Sequence, residues 1–243
     1  MTSLRTLVDR AVAGPDYPPN GSDLADVRLA GLAVPIRASV AVLATTAIIV
    51  ADQLRLFVPG DGGGQGQIAG LESLTIERLV LFLVVPVVII ALAFRDSPAR
   101  YALRLGDWRW GAALLAAGLV VMTPIILALA QLPEFRAFYG AEAVPLGGRV
   151  LNNLAELIPA EFLLRGFLMF ALWRRIGPLA LVVVQVPFVL THVGKPDVEL
   201  WSTFIGGTLF AWLDWRTGSI LWSALGHVYV LTLMVVAVGG ATL

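Results

Sequence analysis

The residues in this sequence best suited to chemistry are Glu161 and Arg165, which lie four positions apart inside the apolar run 150–173. That run is long enough to span a bilayer as a helix. A spacing of four places both side chains on one helix face, within reach of each other. An unpaired charge at that depth costs at least ~3 kcal/mol, so such residues usually pair and face an interior cavity. The pair therefore indicates either an active or transport site, or a structural ion pair that locks helices together.

Two histidines lie in other apolar runs of the chain. His192 comes four positions after Phe188, and His227 lies in the last apolar run. A neutral imidazole can accept a proton or polarise a carbonyl, and a carboxylate can activate water. A lone histidine on an apolar helix is more often a hydrogen-bonded structural residue than a catalyst. The presence of Glu161 and Arg165 on a third run favours one shared site for all of these residues.

A stripe of further positions lies beside the Glu161–Arg165 pair on the same predicted helix. Asn152, Glu156 and Ala160 follow one another at intervals of four, one turn away from the charged pair. The stripe has two interpretations that the sequence leaves equal. It forms either the wall of a cavity or a seam where another helix packs.

The composition is that of a membrane protein. Hydrophobic residues make up 58% of the chain, charged residues 14%, and the mean hydropathy is +0.84. The net charge is zero, so nothing indicates a nucleic-acid partner. There is no cysteine and there are only two histidines, so we predict no disulfide, no thiol nucleophile, no metal site and no other cofactor. The first residues lack the pattern of a cleavable signal peptide.

Apolar runs that alternate with polar, glycine-rich or proline-rich segments predict an all-α transmembrane bundle of about seven spans. The predicted spans cover 34–58, 71–94, 110–132, 150–173, 179–192, 201–213 and 220–243. The predicted connections include a flexible glycine-rich loop at 59–70, a polar loop at 193–200 and a turn at 214–219. Adjacent Gly206 and Gly207 are expected to let helices approach closely.

We divide the chain into a mostly non-helical cytosolic tail at 1–33, spans and loops at 34–149, and a core at 150–243 that holds the candidate site. The distribution of basic residues favours a cytoplasmic amino terminus, because basic residues concentrate on the cytoplasmic side. In that orientation the inside residues are Arg5, Arg10, Arg28, Arg95, Arg100, Arg104, Arg109, Arg174, Arg175 and Arg216. The outside residues are Arg55, Arg78, Arg136, Arg149 and Lys195.

The ordered set of polar residues resembles the motifs of the CPBP family of membrane proteases. This family includes CAAX endopeptidases as well as bacteriocin-processing and immunity proteins. Its motifs run Glu-Glu-x-x-x-Arg, then Phe-x-x-x-His, then His-x-x-x-Asn. The chain shows Glu161 and Arg165, then Phe188 and His192, then His227, in the same order and on separate spans.

The resemblance covers about 150–231 and implies an integral protein of a bacterial or archaeal plasma membrane. It implies hydrolysis of a peptide bond in a hydrophobic or membrane-tethered substrate, without a metal. Glu161 and His192 would activate water, His227 would stabilise the oxyanion, and Arg165 would hold the shape of the site. The implied partners are membrane lipids and the peptide substrate.

Two positions depart from the family pattern. Ala160 stands where the family has its first glutamate, the expected general base, and Leu231 stands where it has asparagine. In one interpretation Glu161 takes over as the base, or Glu156 reaches in from one turn away. In a second, the protein is a catalytically impaired relative that binds peptides or acts in immunity. In a third, Ala160 is an introduced substitution.

A small-solute transporter is a further class that would use charges inside the membrane. Pro159 and Pro187 interrupt two of the predicted spans, as proline often does in transporter helices. The two halves of the sequence show no symmetry, so this interpretation ranks last.

Overall fold

The computed structural model describes residues 13–57, 67–68, 71–140 and 144–242, and most of them are helical. In chain order the helices are α1 (Ile36–Gln53), α2 (Ser73–Ala93), α3 (Trp108–Leu129), α4 (Pro133–Tyr139), α5 (146–176), α6 (Leu179–Leu190), α7 (Asp197–Thr217) and α8 (Leu221–Ala237). The predicted all-α fold is confirmed. Each of the seven predicted spans corresponds to one helix, and α4 is a short additional helix in the connection after α3.

Three of these helices are long and apolar enough to cross a membrane, within the part of the chain that the structure describes. They are α1, α2 and α3. Helices α6 and α8 are apolar but shorter, with 12 and 17 residues. The count of seven spans and the cytoplasmic amino terminus therefore stay predictions.

Helix α7 differs most from its prediction. It begins at Asp197, inside the predicted loop 193–200, and acidic residues in its first turn suit the positive end of the helix dipole. It then continues through most of the predicted turn 214–219. Gly218, with a φ of 68°, ends the helix in the left-handed conformation that glycine adopts easily. The predicted turn is wrong, because these residues add one more helical turn.

Short strands form three two-stranded pairs within the described residues. The antiparallel pairs are β1 (Asp26–Leu29) with β2 (Leu32–Pro35) and β3 (Gln67–Ile68) with β4 (Leu71–Glu72), and the parallel pair is β5 (Val144–Pro145) with β6 (Ala241–Thr242). The tail is non-helical over 13–35. The predicted glycine-rich loop at 59–70 lies outside the described residues, except for the two residues of β3.

Helix α5 runs through the centre of the bundle. Its middle, Phe162–Leu168, forms a wide π-helical turn in which every residue is buried. Pro159 lies one turn earlier and supplies no amide hydrogen to the helix. Helix α2 packs along α5, and α3 packs along α8. Helices from the two predicted segments, 34–149 and 150–243, therefore share one core.

A charged layer closes one end of the helix bundle. Arg37 at the start of α1 donates to Asp23 at 2.7 Å and to Asp96 at 2.9 Å. Arg100 donates to the same two carboxylates, and Arg174 lies 3.8 Å from Asp23. The tail, α1 and the segment after α2 are thereby joined by charge-assisted hydrogen bonds, and the end of α5 adds an ion pair.

Candidate functional site

The centre of the candidate site is Glu161, at the point where α5 enters its wide turn. Its side chain is 1% exposed, and so is that of Arg165, which donates to it from Nη1. The predicted pair therefore forms inside the bundle, away from water. Wide π-helical turns often occur at functional sites, because they rotate side chains out of the regular helical pattern.

His227 on α8 binds the other oxygen of the same carboxylate. Its Nδ1 lies 2.7 Å from Oε1 of Glu161. Because a carboxylate only accepts hydrogen bonds, Nδ1 carries the hydrogen, and a neutral His227 has its lone pair on Nε2. A carboxylate in this position orients the imidazole and stabilises the charge that the ring gains when it takes up a proton.

His192 lies beside His227 at the end of α6. Its Nδ1 is 2.8 Å from the carbonyl oxygen of Phe188, which also fixes the hydrogen on Nδ1 and leaves the lone pair on Nε2. The two imidazole rings are nearly parallel, with centroids 6.4 Å apart. Both oxygens of Glu161 are engaged, by Arg165 and by His227, and its predicted role of activating water together with His192 stays a prediction.

Aromatic rings surround the guanidinium of Arg165. It lies 4.1 Å from the ring centre of Phe188 and 5.6 Å from that of Phe210. Its Nη2 also approaches the carbonyl oxygen of Gly207 at 3.5 Å. Because Phe188 contacts both Arg165 and the ring of His192, at 4.6 Å between ring centres, it links the charged pair to the histidines.

Asp214 is a site residue that the sequence analysis missed. It lies on α7, it is 0% exposed, and its Oδ2 is 2.8 Å from Oγ of Ser223 on α8. The same hydroxyl lies 3.5 Å from Oε2 of Glu161. Asp214 therefore adds a second buried carboxyl group next to the first.

The sequence feature that could have identified Asp214 is an acidic residue within a helix. It was overlooked because the predicted helix ends before residue 214. The predicted span ends at residue 213, so Asp214 falls in the predicted turn 214–219. Because α7 continues to Thr217, Asp214 lies within a helix, directly after the predicted span 201–213. The rule that singled out Glu161, that a charge inside a membrane segment indicates function, applies equally to it.

Glu156 lies apart from this cluster. Its carboxylate is bound by Arg78 of α2, which also donates from Nε to Asp52 of α1 at 2.7 Å. One turn earlier on α5, Asn152 accepts from the backbone amide of Glu72 at 3.0 Å. The polar stripe is therefore a packing seam between α5 and α2. The interpretation in which Glu156 reaches the site as a base does not agree with this position.

The two positions that depart from the family pattern are both apolar and half-buried. Ala160 packs against the main apolar core, and Leu231 lies on α8, one turn after His227. Among the described residues there is no group of three histidine, cysteine or acidic side chains placed to hold a metal ion.

Fold and site together define a membrane-embedded helical protein with a buried Glu-Arg-His cluster built from three helices. Residues 142–233 match the family profile described as Rce1-like, type II CAAX prenyl endopeptidase. This match supports the resemblance to the CPBP and CAAX proteases, and its range includes every residue of the cluster. The chain matches no curated protein and no solved structure significantly.

Proposed function

We propose that this protein is a metal-free endopeptidase that cleaves a hydrophobic or membrane-tethered peptide, in the plasma membrane of a bacterium or archaeon. The observation that carries the proposal is the 2.7 Å contact between the buried Glu161 and His227, with the imidazole of His192 alongside. It provides two imidazoles, each with the Nε2 lone pair free, in a mostly buried site. Such groups suit hydrolysis of an amide by activated water.

In the proposed reaction Glu161 acts through His227. The imidazole takes a proton from the attacking water at Nε2, and the carboxylate stabilises the resulting imidazolium. The new Nε2–H then donates to the negatively charged oxygen, which is the role that the resemblance gives His227, and finally to the leaving amine. His192, with its own free Nε2, holds the second hydrogen of the water. Arg165 balances the charge of Glu161 throughout.

An apolar groove supports a substrate that is embedded in the membrane. It has a volume of about 390 Å³ and lies between α1, α5 and α6. Its lining includes Ile49 from α1, Leu168 and Leu172 from α5, and Pro187 and Leu190 from α6. Pro187 and Leu190 flank Phe188, and Leu190 lies two residues before His192. An apolar segment of the substrate in this groove would therefore lie next to the helix that carries a site histidine.

The test is cleavage of membrane-tethered reporter peptides, with and without a prenyl group, by the protein in proteoliposomes. We expect Glu161→Gln and His192→Ala each to abolish cleavage while the protein still folds. Asp197→Asn, a change to an exposed residue on α7, is the control and should have no effect. Activity should survive chelators. Retained cleavage in both site variants would refute the assignment, and zinc-restored activity after chelation would refute the metal-free mechanism.

A second candidate function is peptide binding without cleavage. It is favoured by the methyl group of Ala160 at the position of the family's expected base, and by the engagement of both oxygens of Glu161. In this case a cross-linked peptide would be recovered intact from the wild-type protein. Ala160→Glu would then switch on cleavage of that peptide. If wild type already cleaves it and Ala160→Glu adds nothing, the binding-only function is excluded.

A further inference from the structure

The cluster contains one more carboxyl group than its arginine can balance. Glu161 and Asp214 are both almost completely buried, and Arg165 is the buried arginine that contacts the first of them. From the tail, Tyr17 also interacts electrostatically with Asp214, but its phenol donates its hydrogen bond to the carbonyl oxygen of Trp215. Two ionised carboxylates would leave a net negative charge in an apolar interior, which costs several kcal/mol.

The hydrogen bonds of the two carboxyl groups indicate which of them is protonated and therefore uncharged. Ser223 approaches the Asp214 carboxyl group with its hydroxyl, at Oδ2, and with its backbone amide, but Oδ1 of Asp214 is buried without a hydrogen-bond partner. An ionised carboxylate normally accepts several hydrogen bonds, and an unsatisfied charged oxygen is far more costly than an unsatisfied neutral carbonyl. Glu161, in contrast, has a cation on one oxygen and an imidazole N–H on the other. The proton therefore belongs on Asp214.

We propose that Asp214 is a neutral carboxylic acid that positions Glu161 through Ser223, so that of the two buried carboxyl groups only Glu161 is ionised. The hydrogen on Oδ2 of Asp214 is donated to Oγ of Ser223 across 2.8 Å. The serine hydroxyl can then no longer donate to Asp214. Its hydrogen turns toward the carbonyl oxygen of Ile220, at 3.0 Å, or toward Oε2 of Glu161, at 3.5 Å.

A neutral Asp214 also matters for the proposed reaction. This consequence rests on the proposed function, whereas the protonation of Asp214 does not. With Asp214 neutral, the resting charges of Glu161 and Arg165 cancel. His227 faces this balanced pair through Nδ1, so Nε2 is the ring nitrogen that the proposed reaction uses. Asp214 touches no reacting atom and is a positioning residue.

The test is infrared spectroscopy of the full-length protein in nanodiscs at neutral pH, which detects protonated carboxyl groups without any substrate. We expect a carboxylic C=O band in the wild-type protein that disappears in Asp214→Asn. The matched control Asp197→Asn, on the exposed side of the same helix, should keep it. Because Glu77 is also buried with both oxygens unpartnered, the readout is the difference between variant and wild type.

A second variant keeps the test decisive if Asp214→Asn does not fold. Ser223→Ala removes the acceptor of the acid hydrogen, so the band should move to higher frequency. The inference is overturned if Asp214→Asn keeps the band, or if Ser223→Ala leaves its frequency unchanged. It is also overturned if the band is lost in Glu161→Gln instead. Failure of the wild-type protein to cleave any peptide would contradict the proposed function and leave the infrared result unaffected.

Discussion

At the scale of single residues, the site is dominated by the cost of burying charge. Glu161 and Arg165 are both 1% exposed, so neither can be stabilised by water. In such a pair the mutual attraction mainly offsets the desolvation of the two ions. Removal of one partner is therefore much more damaging than removal of both.

We predict that Arg165→Met destabilises the protein by ~3–5 kcal/mol, because it leaves the carboxylate of Glu161 buried without a cation. The double variant Glu161→Gln with Arg165→Met should recover most of that loss. The measurement is the free energy of unfolding in one detergent. Arg175→Met is the control, since the Arg175–Asp26 pair is about 30% exposed and should cost at most ~1 kcal/mol. Equal losses for Arg165→Met and Arg175→Met would show that the buried pair has no special role.

At the scale of secondary-structure elements, the site depends on how closely α7 approaches α6. Both Gly206 and Gly207 were expected to allow close packing, but only one of them does. A Cβ atom on Gly207 would overlap Oε1 of Gln185 and lie 2.7 Å from Cδ1 of Phe188, whereas a Cβ on Gly206 would meet nothing within 4 Å. The close contact at Gly207 positions Phe188, and with it the carbonyl that orients His192.

We predict that Gly207→Ala destabilises the protein by ~1–3 kcal/mol, because the added methyl group overlaps Gln185 and Phe188. The shift of Phe188 should also weaken any activity that depends on His192. Gly206→Ala is the matched control on the same helix, and alanine is there favoured over glycine by up to ~1 kcal/mol. Thermal unfolding of the two variants checks this, and similar melting temperatures would contradict the packing that we describe.

The charged layer at one end of the bundle gives a prediction about pH. Burial disfavours the ionised form of Asp23, but hydrogen bonds from the backbone of Asn20 and from Arg100 and Arg37 outweigh it and lower the pKa of Asp23 below its ordinary 3.8. A lowered pKa in the folded state stabilises the fold above the unfolded pKa. This contribution is lost as the pH falls through the folded-state pKa.

Asp23→Asn should therefore cost ~1–3 kcal/mol of unfolding free energy at neutral pH, where the charge-assisted hydrogen bonds are intact. The difference between the variant and the wild type should shrink as the pH falls below 3.8. Unfolding measured at pH 7 and in strong acid provides the comparison. A difference that stays constant with pH would show that ionised Asp23 does not contribute to stability.

At the scale of the whole molecule, the sequence was informative about helices and much less about the contacts between them. Uninterrupted apolar runs determine the helices, because only helices satisfy the backbone hydrogen bonds of such runs in lipid. The Glu161–Arg165 contact was predictable because both residues lie on one helix. The binding of Arg78 to Glu156 joins residues 78 positions apart, and no local pattern encodes it. Asp214 was missed through an error of four residues in one helix end.

The orientation of the bundle can also be argued at this scale. Arg37, Arg100 and Arg174 gather in one layer with Asp23 and Asp96. Arg100 and Arg174 are among the residues predicted to lie inside. Lys195, which was predicted to lie outside, instead pairs with Glu199 near the start of α7. Basic residues concentrate on the cytoplasmic side of membrane proteins, so the layer that contains Arg37 should face the cytoplasm.

Because the chain has no cysteine, single cysteines can test this orientation directly. Ser97→Cys places an exposed thiol beside the charged layer, and Glu134→Cys places one on α4, in the connection after α3. In intact cells a membrane-impermeant maleimide should label Glu134→Cys and leave Ser97→Cys unlabelled until the cells are opened. The reverse pattern would invert the predicted orientation. Labelling of both from outside would mean that an even number of membrane crossings separates the two positions, which contradicts a single crossing by α3.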